Sequence, residues 1–224
     1  MKIALQTAGS MVFGLLFFGA TLFWPAGTFH YWQAWLFLAV FFVMATGPSL
    51  YLATKRPDVL RRRLKAGPQA ETRPVQRVAI TGTVATVAAV LVVSALDHRF
   101  GWSTVPTPVV IVGAVLVAVG LGTSQLVILQ NSYAAATVTV EAGQRVVTSG
   151  LYGLVRHPMY SSTAVMMLGT PPALGSWWGL VALLPGIVVM RMRILDEERL
   201  LRDELDGYAA YTRQVRYRLL PYVW

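Results

Sequence analysis

Long apolar runs, separated by short polar connections, restrict how this chain can fold more than any other feature. In the run from Val78 to Leu96, most side chains are aliphatic or small and none is charged. About 20 such residues form a helix long enough to cross the hydrocarbon core of a bilayer. Because lipid cannot satisfy backbone hydrogen-bonding groups, each run has to fold as a helix. The sequence therefore predicts an all-α integral membrane protein.

Four runs predict complete crossings, and they extend over approximately residues 3–24, 32–53, 78–96 and 108–130. A later apolar region, 161–190, is interrupted by Gly169-Thr170-Pro171-Pro172 and by Gly175-Ser176, so we expect a helical hairpin there rather than one long helix. The predicted fold is thus about four full transmembrane helices plus a C-terminal helical hairpin, or about five to six membrane segments. In the fourth run, the Val119-Gly120-Leu121-Gly122 pattern predicts close helix packing, because small residues let helix backbones approach each other in lipid.

Positive charge is concentrated in one connection, which places that connection in the cytosol. The net charge is +9, and the loop between the second and third runs holds Lys55, Arg56, Arg61, Arg62, Arg63, Lys65, Arg73 and Arg77. Cytoplasmic loops of membrane proteins carry such an excess of Lys and Arg. Topology and lipid anchoring explain this loop, and binding of an anionic substrate headgroup is the alternative. The same distribution argues against nucleic-acid binding.

The N-terminal run is too long for a signal peptide, so we interpret it as a retained first span. Both termini are then expected on the cytosolic side. A multi-pass protein of this kind belongs in the plasma (inner) membrane of a prokaryote or in the endoplasmic reticulum of a eukaryote. The oligomeric state stays open.

The polar stretch from Gly150 to Tyr160 (GLYGLVRHPMY) is the place where chemistry is expected. It combines a cation, an imidazole, a proline and two phenols between apolar segments. Arg193 and Glu197 are neighbours on one helical face and return from the hairpin to the same side of the membrane. Intramembrane polar groups such as Gln125 usually face the bundle or a cavity. We therefore expect a cytosol-facing pocket that can hold a zwitterionic cofactor.

Two shorter segments carry local predictions. Alternation in Thr137-Val138-Thr139-Val140 predicts an extended hairpin around residues 141–144, so that residues 133–147 form a flap leading into the polar stretch. The charged tail from Asp196 to Trp224 is predicted to be an amphipathic helix with a stop signal at Gly207. The chain has no cysteine and three widely spaced histidines, which predicts no metal site.

Several motifs follow one another after residue 146: VTSGLY, VRHPMY, R-x-x-x-E-E at 193–198, G-Y-x-x-Y from 207 and L-P at 220–221. In this combination, the region from Asn131 to Trp224 resembles the isoprenylcysteine carboxyl methyltransferase family. The resemblance implies S-adenosyl-L-methionine as cofactor, bound without a Rossmann domain, and a lipophilic or prenylated substrate that arrives through the membrane. It divides the chain into N-terminal transmembrane helices, residues 1–130, and a cofactor-binding region, residues 131–224.

The residues assigned to the cofactor are Gln125, Gly150, Leu151, Tyr152, His157, Pro158, Tyr160, Arg193, Glu197 and Glu198. The candidate catalytic residues are Arg156, His157 and Arg216. Arg156 or Arg216 would orient an acceptor carboxylate bidentately. An amine acceptor would instead need a base, with His157 or a glutamate as the candidate. Gln214 stands where many family members carry arginine, so the identity of the substrate-binding arginine stays open.

Two other functions remain as alternatives. Membrane sterol and steroid reductases have a similar RHPxY loop and bind NADPH, but Met159 replaces their usual asparagine and Ser161-Ser162 replace their Gly-Glu. A non-catalytic membrane scaffold or transporter subunit is the second alternative. Single residues also have structural explanations: Arg156 as a headgroup anchor, and His157-Pro158 as a helix start. Among acceptors, a prenylated or isoprenoid-like carboxylate is favoured, while a fatty carboxylate or a phospholipid amine stays open.

Overall fold

The computed structural model describes residues 2–64, 67–134, 136–141 and 143–224, and their regular structure is helical. The α-helices are α1 (Lys2–Ala26), α2 (Trp32–Lys55), α3 (Pro57–Leu64), α4 (Pro74–Phe100), α5 (Thr107–Gln130), α6 (Pro158–Ala173), α7 (Trp178–Val181), α8 (Leu184–Glu204) and α9 (Tyr208–Gln214). A 3-10 turn spans Gly150–Gly153. This architecture confirms the prediction of an all-α protein.

In the part of the chain that the structure describes, four segments are long and apolar enough to cross a membrane: α2, α4, α5 and the combined α7–α8 segment, Trp178–Glu204. Helix α1 contributes a shorter apolar stretch, Val12–Ala26. The predicted helical hairpin is confirmed, since α6 is followed by a turn and by the returning helices α7 and α8. The fold is therefore that of a multi-pass integral membrane protein.

The two ends of the helix bundle differ in chemistry. At one end, which we call the far face, the turns expose large aromatic side chains: Trp24, Phe29, Trp32, Trp35, Phe100, Trp102, Trp177 and Trp178. Such aromatic belts mark membrane–water interfaces. The opposite end, which we call the basic face, carries the arginine-rich loop around α3, the flap and helix α9. Helices α4 and α8 meet there through Arg73 and Asp196.

Helices α5 and α6 approach each other backbone to backbone. A Cβ atom on Gly113 would lie 2.4 Å from the backbone nitrogen of Ala173, and one on Gly120 would lie 2.6 Å from the carbonyl oxygen of Ser162. These positions accept only glycine, which confirms the close packing predicted from the glycine pattern of the fourth run. The contact fixes the start of α6 against the end of α5, where the candidate site lies.

A buried carboxylate fastens the hairpin tip at the far face. Asp97, near the end of α4, accepts hydrogen bonds from the Ser103 amide (2.8 Å), the Ser103 hydroxyl (2.5 Å) and the Ser176 hydroxyl (2.6 Å). Tyr31 donates its hydroxyl to the Leu174 carbonyl in the same turn (2.6 Å). These bonds hold the turn between α6 and α7 in place, and thereby the angle at which α8 returns to the basic face.

Two local predictions are wrong. Within the described residues, the flap forms no strand. Its described backbone is irregular, and at the predicted hairpin tip the Gln144 amide donates to the Glu141 carbonyl (3.0 Å). The tail is not one helix from Asp196 to Trp224. The predicted stop near Gly207 is confirmed, since α8 ends at Glu204; Gly207 (φ +84°) directly precedes α9, which covers only Tyr208–Gln214.

Candidate active site

A cavity of about 380 Å³ opens at the basic face. The end of α5, the flap, the polar stretch, α8 and α9 form its walls. Its volume lies in the range of about 300–1,000 Å³ that is usual for small-molecule sites. Eight of the residues assigned from the sequence line it: Gln125, Tyr152, Arg156, His157, Pro158, Tyr160, Arg193 and Glu197.

The remaining assigned residues do not line the cavity. Gly150 (φ +60°) and Leu151 form the turn behind the wall, where the Leu151 amide donates to Gln130 Oε1 (3.0 Å). Glu198 is buried behind Arg156 and His157. Arg216 is exposed and lies outside the wall. Any direct role of these residues therefore stays a prediction.

Glu198 organises the basic side chains behind the cavity. Its carboxylate is 2% exposed and lies 3.2 Å from Arg156 Nε and 3.2 Å from His157 Nε2. Arg218 completes the cluster, with Nε 3.1 Å from both carboxylate oxygens and Nη2 3.0 Å from Oε2. Because an ionised carboxylate only accepts hydrogen bonds, His157 carries its proton on Nε2 in this arrangement. In the neutral imidazole, Nδ1 of His157 is then left as an acceptor.

Glu197, one residue earlier, belongs to the cavity itself. The Tyr160 hydroxyl donates to Glu197 Oε2 (2.5 Å) and accepts a hydrogen bond from Arg193 Nε (2.9 Å). The other carboxylate oxygen, Oε1, lies 4.0 Å from His157 Nδ1. The Glu197 side chain is 22% exposed, so it can accept hydrogen bonds from a ligand in the cavity.

The cavity wall also contains buried donors without a protein partner among the described residues. These are Tyr208 Oη, Arg193 Nη1 and Arg156 Nε. Arg156 Nε is close enough to Glu198 for an ion pair, but its N–H is not aligned for a hydrogen bond. Burial, with a further contribution from Glu198, raises the pKa of Tyr208, which therefore stays a neutral donor. Burial lowers the pKa of the Arg156 guanidinium, and the Glu198 carboxylate acts in the opposite direction. Unpaired buried donors suit a ligand that brings carboxylate or hydroxyl oxygens.

The C-terminal segment, which the motifs include in the cofactor-binding region, completes the site through contacts of Tyr217 and Arg218 that no motif predicts. The backbone amides of Arg156 and His157 donate to the carbonyls of Tyr217 (2.9 Å) and Arg218 (3.0 Å). The basic composition of this segment was visible in the sequence, but no spacing rule relates Arg218 to Glu198. Tyr211 similarly fixes the polar stretch, donating its hydroxyl to the Tyr152 carbonyl (2.7 Å).

A second, apolar pocket of about 300 Å³ lies between α2 and α5. Gly47, Pro48, Tyr51, Leu52, Gln125, Ile128 and Leu129 line it. Tyr51 and Leu129 are exposed on the outer surface of the bundle, so the pocket opens toward the lipid. Gln125 lines both this lateral pocket and the main cavity. Gln125 is thus the residue that the lipid-facing pocket and the polar site share.

The comparison with known families concerns this same region. Residues 108–205 match the model of the phospholipid methyltransferase family. This segment is similar to that family. It includes α5, the flap, the polar stretch and the hairpin, which together provide most of the cavity wall. The finding supports a methyltransferase-type domain, a wider description than the isoprenylcysteine carboxyl methyltransferases that the motifs resemble.

A sterol enzyme is also similar to part of the chain. The chain is 33% identical over 98 residues to the Delta(14)-sterol reductase of Mus musculus, which corresponds to 39% of this chain and 22% of that protein. The match thus spans about a fifth of the length of this relative. It relates one segment and not the two whole proteins.

Proposed function

We propose that the protein is an S-adenosyl-L-methionine-dependent methyltransferase that modifies a lipophilic acceptor at the cytosolic surface of its membrane. The observation that carries this proposal is the contact of two pockets at Gln125: a polar cavity in a segment similar to phospholipid methyltransferases, and an apolar pocket open to lipid. A polar cofactor and a lipid-soluble acceptor can meet there. The high density of arginine on this face supports its cytosolic orientation.

The residues present fit the cofactor. Glu197 offers a carboxylate to its amino or ribose groups, while Tyr208 Oη and Arg193 Nη1 are unpaired donors on residues of the cavity wall that its carboxylate could accept from. Tyr152, His157, Pro158 and the remaining predicted residues of the wall would enclose it, with Gly150, Leu151 and Glu198 supporting the wall from behind. Bound S-adenosyl-L-methionine supplies an activated methyl group on a sulfonium centre.

A carboxylate acceptor, such as that of a prenylated or isoprenoid-like molecule, is the favoured substrate. It needs no proton removal, so proximity and the exclusion of water provide most of the acceleration. Arg156 lies in the cavity wall and is the first candidate to orient this carboxylate, while Arg216 is the second and would have to move from its exposed position. The apolar pocket would receive the hydrocarbon chain.

A phospholipid amine is the second candidate acceptor, and the description of the matched family favours it. An amine has to lose a proton during the reaction. His157 Nδ1 and the Glu197 carboxylate are the candidate bases, because both residues line the cavity. The two groups lie 4.0 Å apart. Incubating membranes with methyl-labelled cofactor distinguishes the acceptors. Mild alkali releases a methyl ester as volatile methanol and leaves an N-methyl group on the lipid.

Ligand-dependent thermal stability tests the proposal against its alternatives. One alternative is a reductase, which the similarity to Delta(14)-sterol reductase supports. S-adenosylhomocysteine at 100 times its Kd stabilises the folded state by about 2.7 kcal/mol. For a chain of this size, that raises the unfolding midpoint by about 5–11 °C. Stabilisation by NADPH alone would refute the methyltransferase in favour of a reductase, and stabilisation by neither ligand would favour a non-catalytic protein.

A further inference from the structure

Glu71 is a buried carboxylate that the function proposed above does not use. It lies in the loop between α3 and α4, outside the family match at residues 108–205 and outside the residues that line the cavity. Its side chain is fully inaccessible to solvent. Burying a carboxylate is costly unless it is paired and hydrogen-bonded. The partners of Glu71 therefore indicate its role.

These partners belong to the flap and to α8. Glu71 Oε2 accepts a hydrogen bond from the Val138 amide (3.2 Å), and Oε1 lies 3.0 Å from Arg193 Nη2. The same Nη2 donates to the carbonyl of Ala136 (2.9 Å). One carboxylate and one guanidinium thus hold one amide and one carbonyl of a three-residue piece of the flap. Residues 136–138 are part of the cavity wall.

The second branch of this network reaches the cavity from Arg193. Its Nε donates to the Tyr160 hydroxyl (2.9 Å), which in turn donates to Glu197 Oε2 (2.5 Å). Glu71 fixes the guanidinium that orients Tyr160, and Tyr160 orients the carboxylate offered to the ligand. The flap and the Glu197 carboxylate therefore depend on the same ion pair.

We propose that Glu71 is a positioning residue that, through Arg193, holds the flap against the cavity and aims Glu197 into it. The role of Glu71 toward the cofactor rests on the proposed methyltransferase function. Its role in closing the flap does not. The arginine-rich loop, for which topology and lipid anchoring were sufficient explanations, thereby supplies a part of the site.

A neighbouring ion pair provides the matched control. Arg73 makes two hydrogen bonds to Asp196 (2.9 and 2.7 Å), linking the same loop to the same helix. Neither residue lines the cavity. The variant Arg73→Ala weakens the attachment of the loop to α8 without touching the flap. Any effect of Glu71 variants that Arg73→Ala lacks is therefore specific to the flap and to Glu197.

The experiment compares the variants Glu71→Gln, Glu71→Asp and Arg73→Ala in the full-length, detergent-purified protein. Arg145 is the only basic residue of the flap and is exposed, so trypsin cleavage after it, followed by mass spectrometry, reports how often the flap opens. Affinity for S-adenosylhomocysteine is measured in parallel. Because a hydrogen bond to a charged group is worth about a factor of ten or more, Glu71→Gln is expected to raise cleavage and to weaken binding by about tenfold each.

Glu71→Asp keeps the buried charge, and with it the fold, and is expected to recover part of both properties. Arg73→Ala should match the wild type in both assays. Cleavage and affinity that stay at wild-type values in both Glu71 variants would overturn the proposal, as would equal effects in Arg73→Ala. If the wild type itself binds no S-adenosylhomocysteine, the methyltransferase function fails. Faster cleavage in Glu71→Gln would then still support the flap-closing role, and unchanged cleavage would refute that as well.

Discussion

Removing the carboxylate of Glu198 is the perturbation whose cost the structure defines best. The side chain is 2% exposed, and its partner Arg156 is 5% exposed. The variant Glu198→Ala leaves this guanidinium buried without a counter-charge, together with His157 and the partly buried Arg218. Breaking a buried ion pair in this way costs about 3–5 kcal/mol. At about 2–4 °C per kcal/mol for a chain of this length, the unfolding midpoint should fall by about 6–20 °C.

Intrinsic tryptophan fluorescence during heating is the suitable assay, because the chain has seven tryptophans and no cysteine for thiol-reactive dyes. Arg202→Ala is the control: Arg202 also pairs with Glu198 (3.5 Å), but its side chain is 47% exposed. Exposed pairs contribute about 0–1 kcal/mol, so this variant should lie close to the wild type. If Glu198→Ala unfolded at the same temperature as Arg202→Ala, the assignment of Glu198 as the centre of the buried cluster would be refuted.

Three further variants test other parts of the structure. Glu197→Gln should weaken S-adenosylhomocysteine binding by about tenfold or more while leaving the ligand-free midpoint nearly unchanged, because the side chain is partly exposed at the cavity; equal affinities would remove it from the site. Gly120→Ala should destabilise the protein because a Cβ there meets α6 backbone at 2.6 Å, whereas Gly19→Ala, with open space around it, should be neutral or stabilising; heat unfolding that showed the same midpoint for both would contradict the α5–α6 packing. Gly143→Ala should lower the free energy of unfolding by roughly 1–2 kcal/mol, because alanine is strained in the left-handed conformation. Gly150→Ala should lower it further, since its Cβ would also lie 2.7 Å from the Gln130 side chain. Denaturant titration of both variants measures the difference.

The membrane-spanning part was predictable because each helix is determined by its own sequence. The run from Val78 to Leu96 has to be helical in lipid whatever its neighbours are, and α4 contains it. The glycine pattern in α5 likewise signals close packing without naming its partner. The family resemblance predicted that Arg156, His157, Tyr160 and Glu197 share one site, and all four line the cavity. A resemblance carries information on tertiary contacts that composition lacks.

The strand predicted in the flap is wrong because alternation of polar and apolar residues shows only which side chains can share a face. It does not show whether a neighbouring strand is there to pair with. Thr137, Val138 and Thr139 alternate as a strand would, but no second strand pairs with them among the residues that the structure describes. The Val138 amide bonds to Glu71 instead, and all three residues line the cavity. Contacts such as this one, and the pairing of Arg218 with Glu198, join distant parts of the chain. No local pattern encodes them.

The pairing of the polar stretch with the C-terminal segment has a consequence for biosynthesis. The amides of Arg156 and His157 donate to the carbonyls of Tyr217 and Arg218, which leave the ribosome after helices α1 to α8. While the nascent chain is being inserted, the cavity lacks one side and its basic cluster lacks Arg218. We therefore expect the affinity for the proposed cofactor to arise only once residue 218 has been synthesised, and a chain interrupted before residue 217 to be integrated into the bilayer without it.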